Sequence, residues 1–316
     1  MVVSASAIDV PDAVLPKLAA LGEVGEQWLA NLPDLIGDLT RRWQLQIGRV
    51  LPGGTGAYVA EAHARAGRRV ILKLSIPDGL NGHGLFGDEL QALLLANGRG
   101  FVRVLEYDET RRAMVQERLG KPLDELGLST GAQIEIICRT LRRCWLPVPA
   151  ETPLPTSAEK ARWLATFIAE TWEQLHRPCA EHVVERALAF AAARVADFEP
   201  DLAVLVHGDA HANNLLQGAD GSRQFTFIDP DPMLAEPACD LAVPMRQWNA
   251  ELLAGSTARL LRERCAAISR FTGIPSAPIW QWGFLERVST GLFLSQLGDE
   301  QQGQQFLAVA ALTAAP

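Results

Sequence analysis

The spacing of apolar residues changes twice along the chain. Over residues 9–48 apolar positions recur every three or four residues, which predicts helix, and Pro33 is expected to divide this region into two pieces. From residue 46 onward, short apolar runs separated by turn residues predict five strands, at 46–50, 58–65, 69–75, 101–108 and 112–119. One helix is predicted at 87–98, after a loop at 77–84 that is rich in Gly, Asn and Asp.

After Gly120 the pattern is helical almost to the C-terminus. Amphipathic stretches predict helices at 122–144, 157–176, 180–197 and along most of 236–312. The Pro-rich segment 146–155 is expected to be a loop, and two short apolar runs predict strands at 203–206 and 224–228.

These patterns predict an α+β fold with two lobes. Residues 1–117 are expected to form an N-terminal lobe with a helical extension, a small antiparallel sheet and one main helix. Residues 118–316 are expected to form a larger, mostly helical lobe. The tryptophans are expected in the core, with Trp163, Phe167 and Trp172 on the apolar faces of their helices.

The two short predicted strands flank the segments 207-HGDAHANN-214 and 225-FTFIDPDP-232. A metallohydrolase is one hypothesis, because His207, Asp209 and His211 alternate and would share one face of a strand. The other four histidines form no further pair with metal-ligand spacing, which weakens that hypothesis. Two other hypotheses for these segments are a hydrogen-bonded structural turn and a phosphoryl-transfer loop.

Phosphoryl transfer requires a particular set of side chains, and the chain supplies each of them in order. An Asp must orient the acceptor hydroxyl, while an Asn five residues later and an Asp on the next strand hold Mg²⁺. A strand Lys must contact the α- and β-phosphates of ATP, and a helix Glu must pair with that Lys. The candidates are Asp209, Asn214, Asp229, Lys73 and Glu89. This set predicts a bilobal protein-kinase-like fold that uses ATP and Mg²⁺.

A Gly-rich turn between the first two predicted strands completes this set. The segment 52-PGGTGA-57 places Gly54 and Thr55 where a phosphate-covering loop belongs. It is not a Walker A sequence, because no Lys-Ser/Thr follows, and a strand rather than a helix is predicted after it, which excludes a dinucleotide fingerprint. Asp88 and Asn213 adjoin two candidates, but the helix pattern favours Glu89 and the spacing selects Asn214.

The form His-Gly-Asp-x-His-x-x-Asn resembles the catalytic loop of the aminoglycoside phosphotransferase family. The segments 97-NGRGFVRVL-105 and 228-IDPDPMLAEPACDLA-242 resemble the branch of streptomycin 6-kinases and hydroxyurea phosphotransferases. Three features depart from that branch: Ala235 replaces a Gly, Asp231 replaces a common Lys, and no Trp shortly precedes the Gly-Asp-Glu at 298–300.

The resemblance implies transfer of a phosphoryl group to a hydroxyl of a small cationic antibiotic, such as a streptomycin-like aminoglycoside. It implies that the Gln116 carbonyl and the Arg118 amide bind adenine. It also implies that Asp240 has a structural role, in which it accepts N–H bonds from the catalytic loop. Asp231 and Glu236 are the nearest candidates to bind a cationic acceptor.

His207 and His211 are expected to be structural, because phosphoryl transfer depends more on positioning and charge neutralisation than on a strong base. Three alternatives to a streptomycin-like acceptor stay open: hydroxyurea, another small-molecule or metabolite alcohol, and a nucleotide-binding pseudokinase without turnover. The complete set of five candidate side chains argues against the pseudokinase.

Charge and composition limit the partners. The net charge of −8 disfavours nucleic acid and agrees with a cationic small substrate. No apolar run reaches the roughly 20 residues of a membrane span, and the N-terminus lacks the features of a signal peptide. The five cysteines are scattered, without a CxxC pair, and are expected to be buried in a protein of a reducing, cytoplasmic compartment.

Overall fold

The computed structural model describes residues 10–52, 54–78, 86–149 and 151–314. By its contacts the chain divides into two compact units, Met1–Gly120 and Lys121–Pro316. The predicted loop at 77–84 and the N-terminal segment lie largely outside the described residues, as does Gly53 in the Gly-rich turn.

The first unit is built on an antiparallel sheet in the order β1-β2-β3-β5-β4. The strands are β1 (Gln46–Val50), β2 (Ala57–His63), β3 (Arg69–Ser75), β4 (Val104–Asp108) and β5 (Ala113–Glu117). The predicted five-stranded antiparallel sheet is therefore confirmed. Strand β3 lies at its centre, where both neighbours protect its backbone, and its residues from Leu72 to Ser75 are buried.

Pro33 does not divide the N-terminal helical region, contrary to the sequence prediction. The break comes earlier, between α1 (Leu15–Ala20) and α2 (Glu23–Trp43), where Gly22 has a positive φ of 56°. Pro33 lies inside α2, and it leaves the Leu29 carbonyl without its helical donor. Because Pro33 is exposed, α2 can continue past it while its buried side packs against the sheet.

The third helix of this unit is α3 (Phe86–Ala96), the one main helix that the sequence predicts there. Its first turn carries Asp88 and Glu89, which suits the positive end of the helix dipole. One side of the helix is apolar and buried, through Phe86, Leu90, Leu93 and Ala96, and this fixes the direction in which the first turn presents its carboxylates.

The second unit is mostly helical. Its helices are α4 (Thr130–Cys144), α5 (Ser157–Gln174), α6 (Glu181–Ala196), α7 (Ala242–Arg246), α8 (Asn249–Leu253), α9 (Thr257–Thr272), α10 (Ser276–Gln296) and α11 (Glu300–Ala311). Helix α10 is central, because it packs against α5, α6, α7, α9 and α11. Among the described residues, no helix is long and apolar enough to cross a membrane.

Two small sheets lie within this helical unit. One has the order β10-β7-β6, formed by β6 (Leu146–Pro147), β7 (Val204–Val206) and β10 (Met233–Ala235). The other is the hairpin of β8 (Leu215–Gln217) and β9 (Phe225–Phe227). The sequence predicts β7 and β9 but misses β6, β8 and β10.

Two expectations about single side chains are wrong. Trp163 is 48% exposed and stacks on Phe167, so it is not a core residue of the second unit. Cys179 is only half-buried, since it lies in the turn between α5 and α6, whereas the other four cysteines are buried. Trp172 and Trp282 are buried as predicted.

Candidate active site

Lys73 and Glu89 form a buried ion pair in the first unit. Lys73 Nζ lies 2.6 Å from Glu89 Oε1, and both side chains are only about a tenth exposed. Lys73 belongs to the central strand β3, between Val59 of β2 and Met114 of β5. A buried ammonium requires a charged partner, and the first turn of α3 supplies one.

The Gly-rich turn between β1 and β2 is open to solvent. Gly54 and Thr55 are both exposed, and Gly54 has a positive φ of 84°. No heavy atom would lie within 4 Å of a Cβ at Gly54 or Gly56, so the turn has room on its outer side. The Ile76 amide donates to the Gly56 carbonyl at 3.0 Å, which ties the end of the turn to the end of β3.

Gln116 and Arg118 lie at the end of β5, where the chain approaches the second unit. The Gln116 side chain is buried, and its Nε2 lies 3.0 Å from Met114 Sδ. Arg118 turns back toward the sheet and donates from Nε to Glu61 Oε1 at 3.0 Å. Both side chains are therefore used within the first unit, which leaves the backbone groups as the candidates for ligand binding.

In the second unit, His207 is fully buried at the start of the loop that follows β7. Its Nδ1 accepts the Asp209 amide at 3.1 Å, so Nε2 carries the proton and donates to the Ile228 carbonyl at 2.9 Å. Burial lowers the pKa of His207, in agreement with a neutral ring. The expectation that His207 is a structural residue bonded to the loop backbone is confirmed.

Asp240 holds the backbone of the same loop through hydrogen bonds. Its carboxylate, which is fully buried, accepts the amides of His207 at 3.0 Å and Gly208 at 2.7 Å. The indole Nε1 of Trp145 donates to it at 3.0 Å. This is the backbone contact that the family resemblance implies for Asp240.

Gly208 allows a close crossing of two backbones. It has a positive φ of 82°, and a Cβ at this position would lie 1.7 Å from the Asp231 carbonyl oxygen. The Asp231 amide also donates to the His207 carbonyl at 2.8 Å. The loop and the residues before β10 are therefore joined without space for a side chain between them.

Asp209 is held on both carboxylate oxygens. Its Oδ2 lies 3.3 Å from His211 Nε2 and 3.4 Å from Asn214 Nδ2, while Oδ1 lies 3.5 Å from Arg246 Nη2. Burial acts to raise the pKa of Asp209, but the hydrogen bond from His211 and the charge of Arg246 outweigh it and hold this pKa well below its usual range. The carboxylate is therefore ionised at neutral pH.

His211 contacts the Asp209 carboxylate as well as the backbone of the loop. Its Nδ1 accepts the Asn214 amide at 3.2 Å, so Nε2 carries the proton that faces Asp209. His211 thus caps the short turn at Ala212–Asn214 and orients the Asp209 carboxylate with the other side of its ring.

Asn214 and Asp229 lie at the same end of the β8–β9 hairpin. The Asn214 carbonyl accepts the Ile228 amide at 2.9 Å, so Asp229 follows directly after the residue opposite Asn214. Asn214 is buried and donates from Nδ2 to the Asp209 carbonyl at 3.1 Å, which leaves Oδ1 as its side-chain acceptor, whereas Asn213 is exposed. Asp229 has a positive φ of 53°, an uncommon conformation that occurs preferentially at functional sites.

The donor set of Asn214 and Asp229 fits Mg²⁺. Both supply oxygen ligands, and Mg²⁺ in phosphoryl-transfer sites is held by one or two such groups together with water and phosphate oxygens. Over the described parts of the chain, no group of three or more His, Cys, Asp or Glu could hold a metal ion.

The sequence analysis missed a row of three charged side chains that begins beside Asp209: Arg246, Glu286 and Lys160. Arg246, at the end of α7, donates from Nη1 to Glu286 Oε2 at 2.6 Å and to Thr290 Oγ1 at 3.0 Å. Lys160 Nζ of α5 lies 2.5 Å from Glu286 Oε1. The available signal was the pair Glu286-Arg287, two adjacent charges in the otherwise uncharged stretch 282–294 of α10.

The carboxylates of Asp231 and Glu236 differ in whether they are accessible to a ligand. Both oxygens of Glu236 lie 3.0 Å from Arg194 Nη1, and Oε1 also accepts Trp282 Nε1 at 2.8 Å. Glu236 thus joins α6 and α10, and its acceptor-binding role stays a prediction. Asp231 is exposed, so its carboxylate remains accessible.

The small antiparallel sheet of the first unit and the helical second unit together have the fold of the kinase-like phosphotransferases. The chain belongs to the aminoglycoside/hydroxyurea antibiotic resistance kinase family, whose model matches residues 42–313. This confirms the resemblance on which the sequence analysis relied.

Characterised relatives agree with this family. The chain is 26% identical to a streptomycin 6-kinase of Streptomyces glaucescens over 98% of its own length and 96% of the relative's. It is 28% identical to a hydroxyurea phosphotransferase of Kitasatospora aureofaciens over 82% and 76% of the two chains. The structure of aminoglycoside phosphotransferase APH(3'')-Id of Streptomyces rimosus, with ADP and streptomycin, matches with a TM-score of 0.54 at 18% identity, over 81% of this chain and 98% of that one.

We expect Gly208→Ala to disrupt the loop. A Cβ here would overlap the Asp231 carbonyl, so the loss of stability should exceed the roughly 1–2 kcal/mol that a left-handed backbone alone costs an L-residue. Gly221→Ala is the matched control, because Gly221 has a similar φ of 75° but no heavy atom within 4 Å of its Cβ position. Chemical denaturation measures both variants, and equal losses would contradict the close crossing.

Proposed function

We propose that this protein is an ATP- and Mg²⁺-dependent O-phosphotransferase that acts on a hydroxyl of a small cationic antibiotic, most specifically a streptomycin-like aminoglycoside. The observation that carries the proposal is the ionised Asp209 carboxylate, fixed by His211 and Asn214 in a member of this family. We also propose that it acts in the cytoplasm, where ATP is available.

ATP would be bound by residues of the first unit. The ammonium group of Lys73, oriented by Glu89, would contact the α- and β-phosphates. The exposed backbone at Gly54 and Thr55 would cover the phosphates, and the Gln116 carbonyl and Arg118 amide would bind the edge of adenine.

Asn214 and Asp229 would hold Mg²⁺ through their side-chain oxygens. When bound there, the ion supplies positive charge that neutralises phosphate oxygens during transfer. The hydrogen bonds of Asn214 to Asp209 orient its amide, so that the metal-binding oxygen and the Asp209 carboxylate are positioned together.

Asp209 would hydrogen-bond the acceptor hydroxyl and align its oxygen with the γ-phosphorus. The new bond joins that oxygen to phosphorus as the bond to the β-phosphate oxygen breaks, and the hydroxyl proton passes to Asp209 and then to solvent. A carboxylate with a low pKa is a weak base, so its contribution is chiefly orientation and charge.

Asp231 is our candidate for recognition of a cationic group on the acceptor. It is exposed, it adjoins the Asp209 loop through its backbone, and it adds to a chain with a net charge of −8. Glu236 is a weaker candidate, because its carboxylate already accepts hydrogen bonds from Arg194 and Trp282.

Hydroxyurea is the second candidate acceptor. The identity to the hydroxyurea phosphotransferase, 28%, is as high as that to the streptomycin 6-kinase of Streptomyces glaucescens, 26%, so overall similarity does not choose between these acceptors. A metabolite alcohol would require the same catalytic residues. The complete set of Lys73, Glu89, Asp209, Asn214 and Asp229 argues against a pseudokinase.

Asp209→Asn should lower kcat by about 10²–10⁴-fold, the usual contribution of a positioned acid–base group. Binding of Mg-ATP should persist, because Lys73 and Glu89 are unchanged. Asn213→Ala, at the exposed neighbour of Asn214, is the control and should keep its activity. Steady-state ADP production and nucleotide titration measure these effects, and near-normal turnover of Asp209→Asn would refute its role.

A panel of acceptors tests the proposed substrate. We expect ADP production from Mg-ATP to depend on streptomycin, and mass spectrometry to find one added phosphoryl group on the antibiotic. Turnover with hydroxyurea alone would establish the second candidate, and turnover with 2-deoxystreptamine aminoglycosides alone would exclude both. Nucleotide binding without turnover on any acceptor would support the pseudokinase instead.

A further inference from the structure

We propose that Arg246 is a positioning residue for Asp209, and that Glu286 and Lys160 hold Arg246 in place for this purpose. The inference rests on the proposed function, since it concerns the orientation of the carboxylate that would bind the acceptor hydroxyl. It assigns a role to three charged side chains that form a row beside this carboxylate.

The four side chains alternate in charge from the loop to the interior. Asp209 Oδ1 lies 3.5 Å from Arg246 Nη2, Arg246 Nη1 lies 2.6 Å from Glu286 Oε2, and Glu286 Oε1 lies 2.5 Å from Lys160 Nζ. The loop, α7, α10 and α5 supply one member each. Only Asp209 is more than about a third exposed, so the charges interact in a poorly screened environment.

The geometry at Arg246 fixes the direction of its guanidinium group. Glu286 and Thr290 are one turn apart on α10, and both contact the same nitrogen, Nη1. A planar guanidinium that is fixed through Nη1 cannot rotate freely, so Nη2 stays directed at Asp209. A lysine ammonium group on its flexible stem has a single nitrogen, so it could not be fixed through one nitrogen while a second nitrogen contacts Asp209.

Two buried arginines hold the backbone on both sides of Arg246. Arg264 donates to the Gln247 carbonyl at 2.6 Å, and Arg287 donates to the Met245 carbonyl. Burial lowers the pKa of Arg264 to about 10 and that of Arg287 to about 9, and the charge of Arg246 acts in the same direction on Arg287. Burial of two guanidinium groups opposes folding, yet here it fixes the end of α7 from which Arg246 extends.

The charges of Glu286 and Lys160 maintain this arrangement. Burial acts to raise the pKa of Glu286, but the charges of Lys160 and Arg246 outweigh burial and lower this pKa below its ordinary value. The carboxylate therefore stays ionised between two cations. Loss of the Glu286 charge would remove the contacting carboxylate of Lys160 and would leave Arg246 with Asp209 as its acidic contact, so that Arg246 could turn fully toward Asp209.

This arrangement distinguishes the two oxygens of Asp209. Oδ2 has contacts to two donors, on His211 and Asn214, whereas Oδ1 has a contact to one, on Arg246. The acceptor hydroxyl therefore approaches Oδ1, and Arg246 sets the angle at which this oxygen is presented.

Conservative variants separate positioning from simple charge. Arg246→Lys keeps the charge but loses the two-point attachment, and Glu286→Gln keeps the shape but loses the charge. Both should lower kcat by about 10–100-fold, the range expected of a misplacement near the reacting group, with the KM for ATP changed less than about twofold. The matched controls are Arg259→Lys and Glu263→Gln, which alter an exposed ion pair of α9 and should leave kcat unchanged. Unchanged kcat in Arg246→Lys would overturn the proposal.

A double variant tests whether Glu286 acts through Arg246. Once Arg246→Gln is present, Glu286→Gln should cause no further loss of kcat beyond about twofold, because its target is gone. Multiplication of the two single losses would show that Glu286 acts independently and would overturn that part of the proposal.

A thermal cycle gives a readout that does not depend on turnover. The shifts in Tm for Asp209→Asn and Arg246→Gln should be non-additive, because each variant removes one side of the same ion pair. Additive shifts would overturn the contact between Arg246 and Asp209. A wild-type protein without turnover on any acceptor would instead overturn the proposed function, and the thermal cycle would still decide the contact.

Discussion

The buried carboxylate of Asp240 fixes the backbone on which the rest of the candidate active site depends. It accepts the amides of His207 and Gly208 and the indole N–H of Trp145, so three donors compensate for its removal from water. These bonds set the course of the chain just before Asp209. Hydrogen bonds within six residues then hold His211 and Asn214 against one oxygen of Asp209, while Arg246 contacts the other oxygen from α7.

The elements that the sequence predicts well are those with local patterns. The five strands of the first unit follow from alternating apolar runs, and the spacing from Asp209 to Asn214 follows from a turn whose bonds are made within the segment itself. Pro33 misled the prediction, because it lies on the exposed side of α2 while Leu32 and Ile36 are buried, and exposure is not visible in sequence.

The charged row beside Asp209 could not be predicted for a different reason. Arg246 is 37 residues from Asp209, and Glu286 is 40 residues further on, so no local spacing connects them. Their meeting depends on how α7 packs against α10, which is decided by apolar contacts such as that of Met245 with Gly283. A charged residue in an apolar helix signals that a partner exists, but only the tertiary structure identifies that partner.

The crossing of Gly208 and Asp231 has a consequence for how such a family can diversify. The two backbones touch, but the Asp231 side chain extends away to the surface, so replacement of that side chain need not displace the loop that carries Asp209. On the proposal that Asp231 recognises the acceptor, selection can alter this contact while the loop that carries Asp209 is inherited unchanged. An enzyme built in this way would change its acceptor one surface substitution at a time.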